Sequence, residues 1–359
     1  MNILLLGANH ASTMNSLKIG LDKAGVNCKA LSLDLFRANY NNYDNIDCII
    51  PNYVANKSAI CKAFLWRFYL IFGIIGYIKK LVWADVVIYY SKPTFNLFRT
   101  KYLKFSIEIW LINFFVKKKY VWFTGSDIRD PEIELLINPF FKFAWGSADY
   151  EYKDYESTEN SFCTQLIFSK YKFKAIVWEQ YPFILSKLFN SYHIIPHASI
   201  SKVSKLAIKK NKIKIVHAPS APYAKGTFYV ERALNKLLET RNDFEFVLLK
   251  NLSNNDYQKK LNEADILIDQ LIWGAYGVAA YQALQSGKVV VAYLLETRVN
   301  DIYGQDCPIV NANIDSLYDV IKELLDNENL DFIKEKGKNY YAKMHAPLVV
   351  ANKLLATLH

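Results

Sequence analysis

Two series of apolar strands alternating with helices, joined by a charged spacer, predict an α/β chain of two Rossmann-like domains facing each other across a cleft. Three observations carry that expectation. At 359 residues the chain has room for two or three domains of ordinary size. Hydrophobic residues make up 52% and charged residues 22%, which excludes a disordered, collagen-like or coiled-coil chain. The short apolar runs are continuous rather than alternating, as in strands buried on both faces of a parallel sheet.

The first series opens at Asn2–Leu6, a strand, followed by a polar loop and a helical pattern over Ser16–Ala24. Strand-like runs follow at Cys28–Leu33, Cys48–Pro51, Val86–Tyr89 and Tyr120–Phe123. Ser147–Thr164 is acidic, tyrosine-rich and irregular, and apolar runs recur at Gln165–Phe168, Ala175–Val177 and Ile194–Pro196. After the spacer Ser201–Lys212, strands are expected at Ile213–His217, Phe244–Leu249, Ile266–Asp269 and Val289–Tyr293. Helices are expected between and after them at Lys225–Thr240, Asn255–Glu263, Tyr276–Ser286 and Ile314–Asn327. A helical stretch over Leu330–Leu358 breaks near Pro347. This order places an N-terminal domain at 1–190 and a second domain at 191–340. A terminal helix at 341–359 is expected to pack back on the first domain.

Charge and cysteines narrow the class. The five cysteines are scattered, with no C-x-x-C pair, so neither a disulfide framework nor a zinc module is expected and a reducing compartment is the default. No basic region precedes an apolar run at the start, so no signal peptide is expected. The net charge of +10 resides in residues 57–119, which hold twelve Lys and Arg against Asp85 and Glu108. The same stretch holds sixteen aromatic residues. Ala63–Ile78 is too short and too interrupted, by Arg67, to span a bilayer. Residues 101–119 place Leu103, Ile107, Trp110, Leu111, Phe114 and Phe115 at helical spacing ahead of Lys117, Lys118 and Lys119, read as a lysine-rich helix end. Three readings stand: helices packed on a sheet with a solvated basic edge, in-plane docking on an anionic membrane, or nucleic-acid binding. No recognisable nucleic-acid motif accompanies the charge, so no nucleic-acid partner is expected.

The loops after the strands carry the chemistry. Strand Ile213–His217 runs into Ala218-Pro219-Ser220-Ala221-Pro222-Tyr223-Ala224-Lys225-Gly226-Thr227, where a helix opens. A lysine and hydroxyls at a helix N-terminus suit a phosphate, and a capped helix with a solvated lysine is the plainer alternative. Strand Ile266–Asp269 leads to glycines 274 and 277, and Gly277 at a helix start lets amides approach a diphosphate. Gly7-Ala8-Asn9-His10-Ala11-Ser12-Thr13 is not a G-x-G-x-x-G loop, which argues against a nicotinamide or flavin oxidoreductase. Thr124-Gly125-Ser126-Asp127-Ile128-Arg129-Asp130 puts Asp127 and Arg129 at a strand end, as site residues or as a pair that holds the turn.

The stretches from His217 to Leu234, from Ala264 to Tyr293 and from Phe123 to Glu132 together resemble bacterial nucleotide-sugar glycosyltransferases of the GT-B architecture. They are similar to the family-4-like retaining enzymes of surface-polysaccharide assembly, such as those of lipopolysaccharide or capsule. The resemblance implies a hexosyltransferase that moves a sugar from a nucleoside-diphosphate sugar to a glycan or lipid-linked acceptor, at the cytoplasmic face of the cell membrane. It implies donor contacts from Ser220, Lys225, Gly226, Tyr276, Gly277, Gln282 and Asn251. Asn9, Thr13, Gly125, Ser126 and Arg129 fall on the acceptor side. Relatives carry two glutamates where this chain has Gly274 and Gln282, so Asp269 is the candidate to replace the first carboxylate. Asp127, then His10, are the candidate bases if the reaction inverts. No metal and no cofactor is expected. The replaced glutamates keep a non-catalytic protein of the same architecture as the alternative, with a basic nucleic-acid-binding protein behind it.

Overall fold

The computed structural model describes residues 1–32, 45–48, 59–91, 106–178, 184–201, 212–327 and 329–358. Most of the spacer Ser201–Lys212, the ends of the runs at Leu33 and Pro51, and Leu103 within the basic stretch lie outside the described residues. The chain forms two compact units, and the division is not a single cut. Residues 1–129, 158–198 and 347–359 make the first unit; 130–157 and 199–346 make the second.

The first unit holds a seven-stranded sheet of β1 (Asn2–Gly7), β2 (Asn27–Ser32), β3 (Asp47–Cys48), β4 (Val86–Tyr90), β5 (Lys118–Trp122), β6 (Lys174–Val177) and β7 (Tyr192–Ile194). Its order is β3-β2-β1-β4-β5-β6-β7, with parallel pairing throughout. The order reverses between β1 and β4, the topological switch point of a Rossmann-like sheet. β1 and β4 are almost wholly buried, which is why their sequences are unbroken aliphatic and aromatic runs.

One face of this sheet is covered by helix Thr13–Lys23 and the terminal helix Pro347–Thr357. Met14, Leu17 and Leu21 meet Val350, Ala351 and Leu354 above Ile3 and Leu5. Gly20 makes that packing possible, because a Cβ there would stand 2.0 Å from the Pro347 carbonyl oxygen.

The second unit holds β8 (Ile213–His217), β9 (Phe244–Leu248), β10 (Ile266–Ile268), β11 (Val289–Ala292) and β12 (Val310–Asn311), in the order β12-β11-β10-β8-β9. All neighbours are again parallel, and the switch point lies between β8 and β10. Helices Thr227–Leu238 and Leu317–Asp326 bury Val230, Leu234, Leu317 and Ile321 against Ile215, Ile266 and Val289. Two parallel-sheet α/β domains are thus present, as the alternating runs predict.

The apolar run Gln165–Phe168 lies in helix Thr158–Lys170, where Ser161, Gln165 and Phe168 are buried at helical spacing. One local expectation is corrected. The lysine triplet is not a helix end. The helix before it spans Ile107–Phe115, and Lys118 and Lys119 open β5, with Lys119 buried beneath the Phe173 ring and Lys118 bonded to the Leu358 carbonyl. No helix among the described residues is long and apolar enough to cross a membrane.

The close approach at Gly20 is open to test. Gly20→Ala is expected to lower stability by about 2 kcal/mol through overpacking against Pro347, read as a fall in the denaturant midpoint. An unchanged midpoint would show that the terminal helix does not depend on that contact.

Candidate functional site

In the second unit, the loops that leave the carboxyl ends of β8 and β10 converge. The β8 loop carries Pro222–Lys225, a single helical turn, and then Gly226 at φ 76°, a left-handed joint into helix Thr227–Leu238. A Cβ at Gly226 would also press on Ile272 at 3.3 Å, so this hinge is built for glycine on two counts. The turn is anchored from the acidic, tyrosine-rich segment of the same unit. Glu151 accepts from the Tyr223 and Ala224 amides at 2.9 and 3.1 Å, and Asp149 accepts from the Tyr223 hydroxyl at 3.0 Å. That segment is therefore a scaffold for the lysine-bearing turn.

Lys225 points inward. Its Nζ lies 2.7 Å from Asp269 Oδ1, and Asp269 is fully buried at the end of β10. The other carboxylate oxygen, Oδ2, accepts from the Gly277 amide at 2.6 Å, at the N-terminus of helix Val278–Gln285. One carboxylate thus joins a cation to a helix start. The three residues singled out separately in the sequence form a single cluster, with Asp269 at its centre. Tyr276 differs: its ring is buried among Tyr281, Tyr303, Tyr340 and His345, and its hydroxyl meets Tyr340 and His345 Nε2. Its side chain is thus committed to the interior.

Behind the cluster sits His217, wholly buried at the end of β8. Burial pushes its imidazole down to about 4, with the hydrogen bond to the Ile268 carbonyl opposing and the Lys225 charge adding to the fall. A neutral ring has one N–H. Nδ1 lies 2.8 Å from the Ile268 carbonyl, which only accepts, so Nδ1 carries the proton and Nε2 accepts from the Thr227 hydroxyl at 3.0 Å. His217 thereby ties β8, β10 and the following helix together; strand Ile213–His217 was legible in the sequence, but this role was not.

Helix Val278–Gln285 continues into a glutamine relay. Gln282 Oε1 accepts from Gln258 Nε2 at 3.2 Å, and Gln258 Oε1 accepts from the Ser201 hydroxyl. Gln285 clasps the Ser201 backbone at its amide, 2.6 Å, and its carbonyl, 3.3 Å. Tyr257, near Asp269, has a buried hydroxyl with no hydrogen-bond partner among the described residues. Burial raises its pKa, and the Asp269 charge raises it further. Ser220 and Asn251 are exposed at the ends of β8 and β9, and Asn251 adopts φ 55°.

Gly274 has its own reason to be glycine. At φ 65°, a Cβ there would meet Leu295 at 2.6 Å and Arg298 Nη1 at 3.1 Å. Arg298 is fully buried, donates to the Trp273 carbonyl at 2.6 Å and pairs with Glu134 at 3.5 Å. The space a glutamate would need is occupied by Leu295 and Arg298, which no local sequence signal announces.

The first unit offers a different set. Gly7 closes β1 where a Cβ would strike the Tyr90 carbonyl at 2.3 Å. The chain then passes through Ala11 and Ser12 at φ 46° and 64°, left-handed conformations that cost on the order of 1–3 kcal/mol each and concentrate at functional sites. Asn9 is buried and accepts from the Asn15 amide at 3.3 Å, Thr13 is buried, and the His10 side chain lies outside the described residues. After β5, Asp127 accepts from the Thr124 amide at 3.0 Å and the Gly125 amide at 2.7 Å, so its carboxylate builds the loop on which it sits. Arg129 is buried and Ser126 half-buried.

No protein-family model and no curated protein sequence matches the chain. Solved structures do. A sucrose-phosphate synthase from Thermosynechococcus elongatus aligns at TM-score 0.61 and 8% identity over 99% of this chain and 98% of that one. WaaG, a glycosyltransferase involved in lipopolysaccharide biosynthesis, aligns at 0.52 and 12% over 99% and 100%. These neighbours are GT-B glycosyltransferases, and at such identities the likeness shows the fold: two Rossmann-like domains of that type.

The buried histidine gives a pH test. Its folded pKa lies below the ordinary 6.5, so on acidification the unfolded chain takes the proton first. Stability is expected to fall between about pH 6.5 and 4 by up to about 1.4 kcal/mol per pH unit from this group. His217→Asn, which keeps a donor for Ile268, is expected to flatten that dependence in denaturant titrations. Parallel curves for the two proteins would show that His217 does not titrate as its burial requires.

Proposed function

We propose that the protein is a glycosyltransferase, moving a sugar from a nucleoside-diphosphate sugar to a lipid-linked or surface-polysaccharide acceptor with retention at the anomeric carbon. The observation that carries this is the Lys225–Asp269–Gly277 cluster at the β8/β10 switch point, on a fold shared with glycosyltransferases. Ligands of open α/β sheets bind beyond the carboxyl ends of the strands, where the strand order reverses.

The reaction asks chiefly for stabilisation of the departing diphosphate. A lysine ammonium, held in advance by a fixed carboxylate that takes one of its three N–H groups, and the Val278 and Ala279 amides at the start of helix Val278–Gln285 supply it without reorganisation at the moment of reaction. Asp269 takes two parts in this reading. It positions Lys225 and the Gly277 amide, and it provides the carboxylate that Gly274 does not. Ser220, Gly226 and the Tyr276 backbone border the diphosphate. Gln282, oriented by Gln258, meets the ribose hydroxyls, and Asn251 lies beside the base. With retention, the acceptor proton leaves through a donor phosphate oxygen, and no separate base is needed. Asn9, Thr13, Gly125, Ser126 and Arg129 then serve the acceptor side, and Asp127 and His10 become bases only in an inverting version.

Lys225→Gln tests the assignment, because glutamine retains a hydrogen bond to Asp269 while losing the charge. The variant is expected to fold, to raise the donor KM and to lower turnover roughly 100-fold. Wild-type kinetics would remove Lys225 from the diphosphate site. Nucleotide-sugar binding without transfer to any glycan acceptor would identify a non-catalytic protein of this fold.

A further inference from the structure

The basic, aromatic stretch of the first unit has a defined outward face. Helix Ala59–Trp83 turns Tyr77 and Leu81 into the unit, while Cys61, Phe68, Ile75 and Val82 are exposed. These four stand seven residues apart, so they form one stripe along about six turns. Ile75 is 59% and Val82 66% exposed, the reverse of what a solvated helix face shows. Lys79 is exposed on the same stripe, four residues after Ile75 and three before Val82.

The neighbouring helix Ile107–Phe115 repeats the arrangement. It buries Glu108, Ile109 and Ile112 and exposes Trp110 and Phe114, whose rings stack at 6.0 Å. Phe114 is 70% exposed. Glu108 joins the two helices to the sheet: its backbone carbonyl accepts from Tyr77 and its carboxylate accepts from Tyr89 on β4. Both helices therefore lie on one sheet face and turn their apolar stripes outward together. The only carboxylates in the described parts of this stretch are Glu108, buried, and Asp85, which accepts from the Asn2 amide. Lys79 and Lys117 are exposed at the borders.

We propose that this two-helix face docks on an anionic phospholipid bilayer. Phe68, Ile75, Val82, Trp110 and Phe114 enter the headgroup boundary while Lys79 and Lys117 meet lipid phosphates. An apolar stripe flanked by cations, with the one exposed carboxylate of its described part, Asp85, lying beyond the end of helix Ala59–Trp83 and accepting from the Asn2 amide, matches that partner's chemistry in both respects. The surface deepens the reading above by naming where a lipid-linked acceptor would be met, but lipid binding needs neither donor nor turnover.

The test is co-sedimentation with vesicles of phosphatidylcholine alone and of phosphatidylcholine with phosphatidylglycerol. The wild-type chain is expected to bind the anionic vesicles and to bind the neutral ones at least about tenfold more weakly at physiological salt. Ile75→Ser with Val82→Ser and Phe114→Ser, all at exposed positions, is expected to abolish binding to both. Lys79→Glu with Lys117→Glu is expected to reduce binding to anionic vesicles alone, by at least about tenfold. Nucleotide affinity, set by the second unit, should be the same in all of them. Wild-type binding by both variants would overturn the proposal. So would a self-associating species, seen in sedimentation velocity, that the serine substitutions dissolve, since the occupant would then be a second copy of the chain.

Discussion

The second unit depends on the carboxylate of Asp269. It is fully buried at the end of a central strand, and an isolated charge there would be costly to hold. The Lys225 ammonium and the Gly277 amide make the burial tolerable, and in doing so they fix two loops to each other. Removing one partner of such a pair costs roughly 3–5 kcal/mol, because the other is left charged in the interior. Lys225 and the start of helix Val278–Gln285 are therefore held in place by the fold itself. His217 and Thr227 extend the same constraint to the neighbouring strand and helix, and the Glu151 carboxylate fixes the turn on which Lys225 stands.

Gly274 and Arg298 follow from the same crowding. The loop between β10 and helix Val278–Gln285 must turn back sharply enough for the Gly277 amide to reach Asp269. It does so by taking residue 274 through the left-handed region, against Leu295 and Arg298. A carboxylate side chain is sterically incompatible with that path. Charge at this end of the sheet is instead carried by Asp269 from the strand and by the Arg298–Glu134 pair beneath the loop.

Much of this was legible in the sequence where the signal is local. Val289–Tyr293 reads as a strand because both faces of a parallel sheet are buried, leaving an unbroken apolar run, and Ile213–His217 reads as one from its β-branched residues despite Lys214. Lys225 and Gly277 stood out as a cation and a glycine at helix starts, read as a phosphate site or as a capped helix with a solvated lysine, and the lysine is in fact buried against Asp269. What did not show was partnership. Nothing near Asp269 says that it binds both of those groups, and nothing near Arg298 points to Glu134. Asp127 read as a site residue or as one that holds its turn, and its carboxylate accepts from the Thr124 and Gly125 amides of its own loop, partners that its sequence position does not name. The lysine triplet failed for a related reason. A run of three cations reads as solvated, yet Lys119 alternates inward in β5 and lies beneath Phe173, which only the sheet register determines.

The central claim is that the second unit is a nucleoside-diphosphate site. A thermal-denaturation panel of nucleoside diphosphates and their sugars tests it most directly, since a ligand at 100 times its dissociation constant stabilises the folded chain by about 2.7 kcal/mol. The account predicts that at least one nucleoside diphosphate raises the transition temperature, while its nucleoside without phosphates does not. A panel in which no diphosphate shifts the transition, or in which the bare nucleosides shift it equally, would contradict it.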